Sequence, residues 1–349
     1  MPRIDALIVG AGLTGATAAR LLADAGLTVA VVEKRGQPGG NCADVWQDGI
    51  LRNLHGGHIF HTKSSKVWDF VNRFGQFQPY THRVASFANG HLYSFPINLL
   101  TLQQLYGVCT PAYAEKAIEE HHDELVDLFF RGYSEKQWGR KYEDIPGAVM
   151  GRIPWRATYD DRYFTDTYQG LPVEGYTALI GGLLAGIPVC YNDDFTVSKA
   201  YWLKEARRVL YTGSIDALLG YRYGKLEYRS LRFEDFTVDG DFQGCATVHY
   251  PGAELPYTRI LEWRHFGWHP APSGKSLCTR EYPAAEGEPY YPVKSAENMR
   301  RWQEYATALE AEYPQITAAG RLGRYAYLNM DQAIAQAMQL VEKWGQDGA

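Results

Sequence analysis

Residues 4–9 form a short apolar run that ends at Gly10, a pattern typical of a buried parallel β-strand. Residues 13–25 then repeat apolar side chains at helical spacing until Gly26 ends the helix. A second apolar run covers residues 28–32. The pattern therefore predicts a strand–helix–strand unit at the start of the chain.

The pattern changes in the second quarter of the chain. Two alternating runs in residues 83–97 flank Asn89-Gly90, which predicts a β-hairpin with its turn at that dipeptide. Helical spacing follows over residues 99–106. Thr110-Pro111 then predicts the start of another helix, which runs from residue 112 toward Arg131.

Alternation with a period of two returns between residues 221 and 282 and predicts β-strands there. Helical spacing reappears around Leu309 and over residues 331–341. Strand and helix patterns therefore both occur along the chain.

Three glycines after the first strand form the pattern G-x-G-x-x-G. Gly10 permits a tight turn, Gly12 leaves room for a pyrophosphate against the backbone, and Gly15 lets the helix pack closely on the strand. Glu33 closes the second strand, where a carboxylate can accept hydrogen bonds from a ribose and would repel a 2′-phosphate. The motif favours FAD or NAD over NADP, and an ordinary loop in an apolar segment is the alternative.

The residues after Glu33 decide between the two dinucleotides. The run from Lys34 to Asn41 continues the strand into a second glycine turn that contains Gly40. This run resembles the extended signature of FAD-binding proteins of the glutathione reductase and amine oxidase type. The resemblance implies FAD, with Lys34, Gly40 and Asn41 at the cofactor.

Length, composition and charge limit the number of domains and the classes of molecule that the chain is expected to bind. At 349 residues with 46% hydrophobic and 21% charged side chains, the chain can bury a large core and is expected to form two or three domains. A net charge of -5 gives no general attraction to nucleic acid or to an anionic membrane, so local arginines must hold any anionic substrate. No apolar run is long enough to cross a bilayer and the first strand begins by residue 4, so we expect a cytoplasmic protein without membrane insertion.

Three histidines, His55, His58 and His61, recur at intervals of three around Gly56-Gly57. A metal triad is disfavoured because the glycines break any helix and no carboxylate lies nearby in sequence. The five cysteines lie far apart without a C-x-x-C pair, so no metal site is predicted. We favour a glycine-flanked turn that brings backbone and imidazole to a flavin ring, with plain loop histidines as the alternative.

Seven further segments resemble the UDP-galactopyranose mutase family. They occur in the family's order and extend over nearly the whole chain. The segments are Gly57-His58-Ile59-Phe60-His61-Thr62, Gly132-Tyr133-Ser134-Glu135-Lys136-Gln137-Trp138-Gly139, Arg152-Ile153-Pro154-Trp155-Arg156, Arg162-Tyr163-Phe164, Pro256-Tyr257-Thr258-Arg259-Ile260, Glu288-Pro289-Tyr290-Tyr291-Pro292 and Gly320-Arg321-Leu322-Gly323-Arg324-Tyr325-Ala326-Tyr327.

The resemblance implies a fold of three parts. These are an FAD-binding Rossmann-like domain made of discontinuous segments, an inserted helical domain and a mostly antiparallel β-sheet domain. The expected divisions are 1–75, 170–215 and 315–349 for the FAD-binding domain, 98–150 for the helical domain, 76–97 and 216–314 for the sheet domain, and 151–169 for a mobile active-site loop region.

The resemblance also implies a reaction. The family interconverts the pyranose and furanose forms of UDP-galactose without net redox change, with N5 of reduced FAD as the nucleophile toward the anomeric carbon. The implied partners are a UDP-sugar substrate, a transient reductant such as NAD(P)H, and a second copy of the chain in a homodimer.

The resemblance assigns roles to individual residues. Arg152 and Arg259 match the two arginines that bind the diphosphate, and His61 matches a histidine beside flavin and sugar. The remaining matches fall into two groups. Tyr133 and Trp138 would face the uridine, and Tyr163, Tyr291 and Tyr327 the phosphates. The implied cofactor residues are Gly10, Gly12, Gly15, Glu33, Lys34, Gly40, Asn41, His58, Arg321 and Met330.

Two positions depart from the family pattern near the expected sugar. Asn329 stands where the family has an aspartate, and His249 stands where an asparagine is common. The helical insert is also shorter than is usual, in a region that contributes to the family's dimer. The reaction type is therefore predicted more firmly than the sugar, which is UDP-galactopyranose or a close analogue such as an N-acetylated, 6-deoxy or pentose sugar.

Two other functions remain as alternatives. An FAD-dependent oxidoreductase of the amine oxidase type would share the first forty residues, but it does not account for two arginines that match a diphosphate site. A homologue that binds flavin and nucleotide sugar but has lost catalysis would account for the changes at Asn329 and His249.

Overall fold

A computed structural model describes residues 4–108, 110–145, 154–267 and 274–346. Seventeen strands occur in these ranges. In chain order they are β1 (Ile4–Val9), β2 (Val29–Glu33), β3 (Asp44–Gln47), β4 (Ile50–Asn53), β5 (Phe60–Thr62), β6 (Phe77–Pro79), β7 (Val84–Ala88), β8 (His91–Phe95), β9 (Tyr168–Pro172), β10 (Val189–Tyr191), β11 (Ala206–Tyr211), β12 (Tyr228–Asp239), β13 (Thr247–His249), β14 (Arg259–Glu262), β15 (Lys275–Ala284), β16 (Tyr291–Pro292) and β17 (Ile316–Ala318).

The same ranges contain twelve α-helices, several of them single turns. They are α1 (Leu13–Asp24), α2 (Ser65–Asn72), α3 (Leu99–Tyr106), α4 (Pro111–Glu120), α5 (His122–Val126), α6 (Gly132–Trp138), α7 (Gly175–Leu183), α8 (Phe195–Glu205), α9 (Ile215–Leu218), α10 (Ala296–Glu312), α11 (Gly320–Gly323) and α12 (Met330–Gln346). None of the helices in the described ranges is long and apolar enough to cross a membrane.

A five-stranded parallel sheet with the order β10-β2-β1-β11-β17 forms one part of the molecule. The side chains of β1 alternate between two cores, with Ile8 facing α1 and α12 and Leu7 facing α8 and α10. Both faces of the sheet are covered by helices, which explains why β1 and β2 are apolar along nearly their whole length. The predicted strand–helix–strand unit is present as β1, α1 and β2.

A second, seven-stranded sheet has the order β16-β12-β15-β14-β13-β7-β8. Its neighbours are antiparallel except for β13 and β7, which pair in parallel. The predicted hairpin is present as β7 and β8, with Asn89 at φ +48° and Gly90 at φ +78° in the turn. The fold class expected from the sequence, an α/β Rossmann-like domain with a mostly antiparallel sheet domain, is confirmed.

The helical region differs from the single long helix predicted after Thr110-Pro111. Helix α4 ends at Glu120, α5 follows, and a π-helical turn over Asp127–Arg131 leads directly into α6. The extra residue of a π-turn rotates the helical surface, and here the consecutive Phe129 and Phe130 are both buried against the β7–β8 hairpin. A regular 3.6-residue pattern therefore could not indicate this turn.

The expected division into domains stays a prediction, but one helix packs outside its expected part. Helix α10 lies within residues 216–314, which were assigned to the antiparallel sheet domain. Its Tyr305 and Leu309 are buried in the core beneath the parallel sheet, together with Leu7 and Val209.

Candidate active site

A groove follows the carboxyl edge of the parallel sheet. Strands β1, β2, β10 and β11 all end there, so the residues after them meet although they are distant in sequence. Open α/β sheets bind ligands at this edge. All ten predicted cofactor residues line the groove: Gly10, Gly12, Gly15, Glu33, Lys34, Gly40, Asn41, His58, Arg321 and Met330.

The glycines leave space that side chains would fill. Gly10 has a φ of +102°, and a Cβ there would lie 2.1 Å from Oγ1 of Thr212, so the turn requires glycine. A Cβ on Gly15 would lie 1.9 Å from the carbonyl oxygen of Gly10, as close packing of α1 on β1 requires. A Cβ on Gly40 would lie 3.0 Å from the Cα of Gly12, so the two glycine turns face each other backbone to backbone.

Glu33 is buried at the end of β2 and lines the same groove. Its Oε2 accepts a hydrogen bond from the backbone N–H of Ala11 at 2.7 Å, and its Oε1 accepts one from the backbone N–H of Arg35 at 2.8 Å. Each carboxylate oxygen keeps a second lone pair, which a ribose hydroxyl can use. Burial in a fixed orientation makes Glu33 a suitable ribose acceptor.

Arg321 also lines the groove, and the backbone of two segments holds it in place. Its Nη1 donates to the carbonyl oxygen of Tyr290 at 3.1 Å and its Nη2 donates to that of Leu328 at 2.6 Å. The guanidinium also lies 4.9 Å from the ring centroid of Tyr327. Asn329 and Met330 line the groove next to it, where α12 begins.

His58 faces the groove as a neutral ring. Burial lowers the pKa of His58 to about 3, because the charged form would lose its hydration, and Arg321 and Arg259 lower it further. Its Nδ1 lies 2.7 Å from the carbonyl oxygen of Gly56, and its backbone N–H donates to Oδ1 of Asn53 at 3.0 Å. The predicted glycine-flanked turn is thus fixed by its own backbone.

A cluster of aromatic rings adjoins the groove at Arg321, and we call it the aromatic chamber and define it by Tyr133, Tyr163, His249, Tyr291 and Tyr327. The ring of His249 lies 4.9 Å from that of Tyr133 and 6.1 Å from that of Tyr163. Tyr291 stacks on Tyr327 at 5.7 Å between ring centroids. Because Tyr327 lies beneath Arg321, the chamber and the groove share a wall.

Arg259 lies beside the chamber on β14, directly opposite His249 of β13. Its Nε donates to Oε2 of Glu281, the paired residue on β15, whose side chain is only 1% exposed. Burial alone would lower the pKa of the Arg259 guanidinium, but the negative charge of Glu281 raises it well above its usual value. Arg259 therefore keeps its positive charge at any physiological pH.

His61 lies on β5 and is held from two sides. Its Nδ1 lies 2.9 Å from Oδ2 of Asp166, and Phe164 stacks on its ring at 3.8 Å between centroids. His82 lies behind Phe164, at 6.2 Å. The three histidines at intervals of three have different partners, since His55 pairs with the hydroxyl of Tyr290 at 2.7 Å.

The structure brings most of the predicted substrate residues together. Trp138 lies 6.4 Å from Tyr291, and the other aromatic residues form the chamber itself. Arg152, the second predicted diphosphate arginine, lies outside the described residues. The roles of all these residues in binding stay predictions.

The sequence interpretation missed several groove residues. Thr212 and Gly213 follow β11, Asp193 follows β10, and Glu288 lies 3.1 Å from Arg35 across the mouth of the groove. A usable signal was present for Thr212, because it directly follows an apolar run and the carboxyl ends of parallel strands meet at one edge.

Among the described residues, one group has ligand atoms placed to hold a metal ion, and it lies away from the predicted site. Asp241, Glu262 and His265 have ligand atoms within 4.8 Å of one another. The Glu262 carboxylate already accepts hydrogen bonds from the backbone N–H groups of Phe242 and Gln243. These bonds make the group an anchor for the loop after β12.

The parallel sheet, the glycine cradle and the buried acid at the sheet's carboxyl edge define a dinucleotide-binding protein of the Rossmann-like class. The model of the NAD(P)-binding Rossmann-like domain matches residues 8–74. The family model of UDP-galactopyranose mutase matches residues 128–327, and the chain belongs to this family of flavin-dependent isomerases. The groove fits FAD, since its facing glycines and Glu33 accommodate an ADP moiety, and FAD is the cofactor.

Known relatives match over nearly their full length. The chain is 37% identical to a probable UDP-galactopyranose mutase of Klebsiella pneumoniae, covering 97% of this chain and 94% of the relative. It is 36% identical to a dTDP-fucopyranose mutase of Escherichia coli, covering 96% and 97%. A crystal structure of reduced UDP-galactopyranose mutase has the same fold, with a TM-score of 0.78 at 15% identity over 99% of this chain and 96% of that one.

Proposed function

We propose that the protein interconverts the pyranose and furanose forms of a galactose-like sugar on a nucleoside diphosphate, with UDP-galactopyranose or a close analogue as substrate. One observation carries the proposal. In a chain of this family, Arg259, whose Nε donates to the buried Glu281, holds a charged guanidinium beside an aromatic chamber that shares a wall with the FAD groove. The oxidoreductase alternative gives no reason for that arrangement.

FAD, when bound and reduced, supplies a nucleophile for the anomeric carbon, so no side chain has to supply one. The protein must hold the sugar, stabilise the departing diphosphate and keep water out. The cofactor would be held by the glycine cradle and Glu33 at one end of the groove. Arg321 and the neutral ring of His58, which line the same groove, would face it.

Arg259 is the residue we assign to the diphosphate. A guanidinium presents a fixed charge and paired donors, and its interaction strengthens as the phosphate gains charge. Glu281 accepts from Nε, so the two Nη groups are left to face a ligand. Arg152 is proposed to bind the same diphosphate from the loop region 151–169, which closes over the substrate.

The chamber tyrosines are proposed hydrogen-bond donors to the phosphates. Burial raises the pKa of Tyr291 far above its usual value, and Tyr327 raises it further. Burial likewise raises the pKa of Tyr133. These phenols therefore remain protonated and can donate near neutral pH. The faces of Tyr133 and Trp138 are proposed to pack against the nucleobase.

The identity of the sugar depends on His249 and Asn329. Burial holds the pKa of His249 well below its usual value, so this ring is neutral and cannot form an ion pair with a phosphate. Asn329 lines the groove with an amide, which can donate as well as accept. One relative is named for a 6-deoxy sugar on a thymidine nucleotide, so a 6-deoxy substrate is within the proposed range.

The test is a substrate panel with dithionite-reduced protein, with furanose products separated by chromatography. The panel contains UDP-galactopyranose, dTDP-fucopyranose, UDP-N-acetylgalactosamine and a UDP-linked arabinopyranose. We expect at least one furanose product, and the best substrate identifies the sugar. If no nucleotide sugar turns over while UDP still quenches tryptophan fluorescence, the protein is a binding homologue and the proposal is wrong.

Two partners belong to the same proposal. We infer a homodimer, which sedimentation velocity would contradict by showing a monomer at micromolar concentration. We also infer that NAD(P)H binds transiently and reduces the flavin. Anaerobic NAD(P)H should bleach the flavin absorbance, and an unchanged spectrum would require a different reductant.

A further inference from the structure

Helix α6 carries Tyr133 and Trp138, and Lys136 lies between them in sequence. The Lys136 ammonium contacts a segment outside its own helix, the connection 250–257 between β13 and β14. Its Nζ lies within hydrogen-bonding distance of four backbone carbonyl oxygens: Tyr250 at 2.6 Å, Gly252 at 2.7 Å, Leu255 at 3.0 Å and Tyr257 at 3.0 Å. An ammonium group has three N–H donors, so four acceptors saturate it.

The connection 250–257 joins two side chains of the proposed site. It begins directly after His249, and Thr258 joins its end to Arg259. His249 and Arg259 face each other across β13 and β14. A hydrogen bond from the backbone N–H of Tyr250 to the carbonyl oxygen of Thr258 closes its base at 2.8 Å. A shift of the connection would therefore move both strand ends.

Helix α6 also contacts this connection through its backbone. A Cβ on Gly132 would lie 2.3 Å from the carbonyl oxygen of Pro251, so only glycine permits the approach. On another side of the helix, Arg229 of β12 donates from Nε to the carbonyl oxygen of Gln137 at 2.9 Å. Arg229 fixes the end of the helix, whereas Lys136 joins the helix to the strands of His249 and Arg259.

The Lys136 site is built for one compact cation. Four carbonyl dipoles point at Nζ, and burial lowers the pKa of Lys136 to about 8 while the Glu254 carboxylate on the connection raises it. The ammonium is therefore mostly charged at neutral pH. Distances of 2.6 to 3.0 Å to carbonyl oxygens suit an ammonium ion, and they also suit K⁺, which has a similar radius.

We propose that Lys136 is a positioning residue that locks helix α6 to the connection 250–257, so that Tyr133 and Trp138 are held at a fixed distance from Arg259. The inference rests on the proposed function, because it concerns the nucleotide site. It assigns Lys136 no contact with substrate. Without the ammonium, the four carbonyl oxygens lose their shared donor. The distance between the proposed nucleobase site on α6 and the proposed diphosphate site at Arg259 is then no longer fixed.

The first test replaces Lys136 by methionine, which keeps the length of the side chain and removes its charge. UDP affinity is measured by tryptophan quenching, turnover by chromatography, and FAD content by absorbance. We expect the UDP dissociation constant of Lys136→Met to rise by about tenfold and kcat/KM to fall by about 100-fold, with FAD content unchanged. Lys141→Met, an exposed lysine just beyond α6, should match the wild type.

A merely structural role predicts a different result. Lys136→Met would then lower the melting temperature while the UDP dissociation constant and KM stayed at wild-type values, and that result would overturn the proposal. If wild-type protein binds UDP but turns over no sugar, the proposed function is wrong, while the UDP dissociation constants of wild type and Lys136→Met still test the role of Lys136. If wild-type protein binds no UDP, both fail.

A second variant tests the cation site directly and guards against misfolding of the methionine variant. Lys136→Ala removes the side chain beyond Cβ and leaves the four carbonyl oxygens facing a space the size of propylammonium. Propylammonium or K⁺ should restore UDP affinity toward the wild-type value, whereas tetramethylammonium, which is larger and has no N–H donor, should not. The proposal would be contradicted if all three ions restored UDP affinity equally, or if none of them restored it.

Discussion

Glu281 accounts for much of the chemistry that we assign to Arg259. The carboxylate is buried and directly opposite the arginine in the sheet, and it accepts from Nε. A Cβ on Gly56 would lie 2.8 Å from Oε1 of Glu281, so the buried carboxylate leaves no room for a side chain at this turn. Removal of either partner would leave a buried charge, so conservative substitutions are the informative ones.

Arg259→Lys keeps the charge but loses the planar fork. We expect kcat/KM to fall by about 100-fold, because a lysine cannot bond Glu281 through Nε and still present two donors to a diphosphate. Steady-state kinetics with the best substrate of the panel measures this, with FAD content as the internal control. Arg264→Lys is the matched control, since that guanidinium bonds the carbonyl oxygen of Gly240. An Arg259→Lys variant within about 0.5 kcal/mol of wild type would contradict the assignment.

His82 makes a residue-scale prediction about pH. Burial, followed by the positive charge of Arg259, lowers the pKa of His82 to about 3, whereas an unfolded histidine has a pKa of about 6.5. Because the folded-state pKa is lowered, the unfolded chain binds the extra proton as pH falls. The stability contributed by neutral His82 is therefore complete above about pH 6.5 and declines by about 1.4 kcal/mol per pH unit below it.

Urea unfolding at several pH values between 7.5 and 5 measures this dependence. The wild type should lose stability more steeply toward acid than His82→Gln, which has no titrating ring. The comparison between the two slopes cancels the contribution of other titrating groups. Equal slopes would show that His82 is not buried in its neutral form.

Individual residues differ in how well the sequence could predict them. Gly10, Gly15 and Glu33 follow from a motif whose geometry is set by the backbone, and the structure places each at the groove. Thr212 has no such motif and enters the groove only because β11 lies next to β1. The four-carbonyl site of Lys136 involves residues more than 100 positions away, so local sequence cannot indicate it.

At the scale of elements, close packing of α1 on β1 depends on Gly15. Gly15→Ala would place a Cβ against the Gly10 carbonyl, and the clash is with backbone that cannot move without distorting the turn. We expect a loss of about 2 kcal/mol or more in the free energy of unfolding, together with weaker FAD retention. Thermal unfolding and the ratio of flavin to protein absorbance measure the two effects.

Gly181→Ala is the matched control on helix α7. No heavy atom lies within 4 Å of a Cβ at Gly181, so alanine fits there and reduces the freedom of the unfolded chain. Stability should rise by about 0.4–1 kcal/mol. Equal effects of the two substitutions would show that α1 does not pack on β1 as closely as described.

Elements with strong periodicity were predictable, and those shaped by tertiary packing were not. The apolar strands, helix α1, the hairpin at Asn89-Gly90 and α3 follow from local pattern. The π-helical turn over Asp127–Arg131 exists because two neighbouring phenylalanines are both buried in one core. The parallel pairing of β13 with β7 likewise depends on strands far apart in sequence.

At the scale of the whole molecule, the two large sheets supply different parts of the proposed active site. The parallel sheet ends in the FAD groove, and β13, β14 and β15 of the second sheet bring His249, Arg259 and Glu281 to the chamber. Arg321 and Tyr327 form the wall between them. The family resemblance predicted an FAD-binding domain together with a mostly antiparallel sheet domain, whereas composition indicated only that the chain can bury a large core.

The central claim is that this arrangement isomerises a nucleotide sugar without net redox change. The most direct measurement incubates the FAD-bound protein with UDP-galactopyranose and with dTDP-fucopyranose under anaerobic conditions, before and after dithionite reduction, and follows the furanose product by chromatography. The account predicts product only after reduction, with no consumption of reductant per turnover. Absence of product with FAD bound and reduced, or product that requires one equivalent of reductant for each sugar converted, would contradict it.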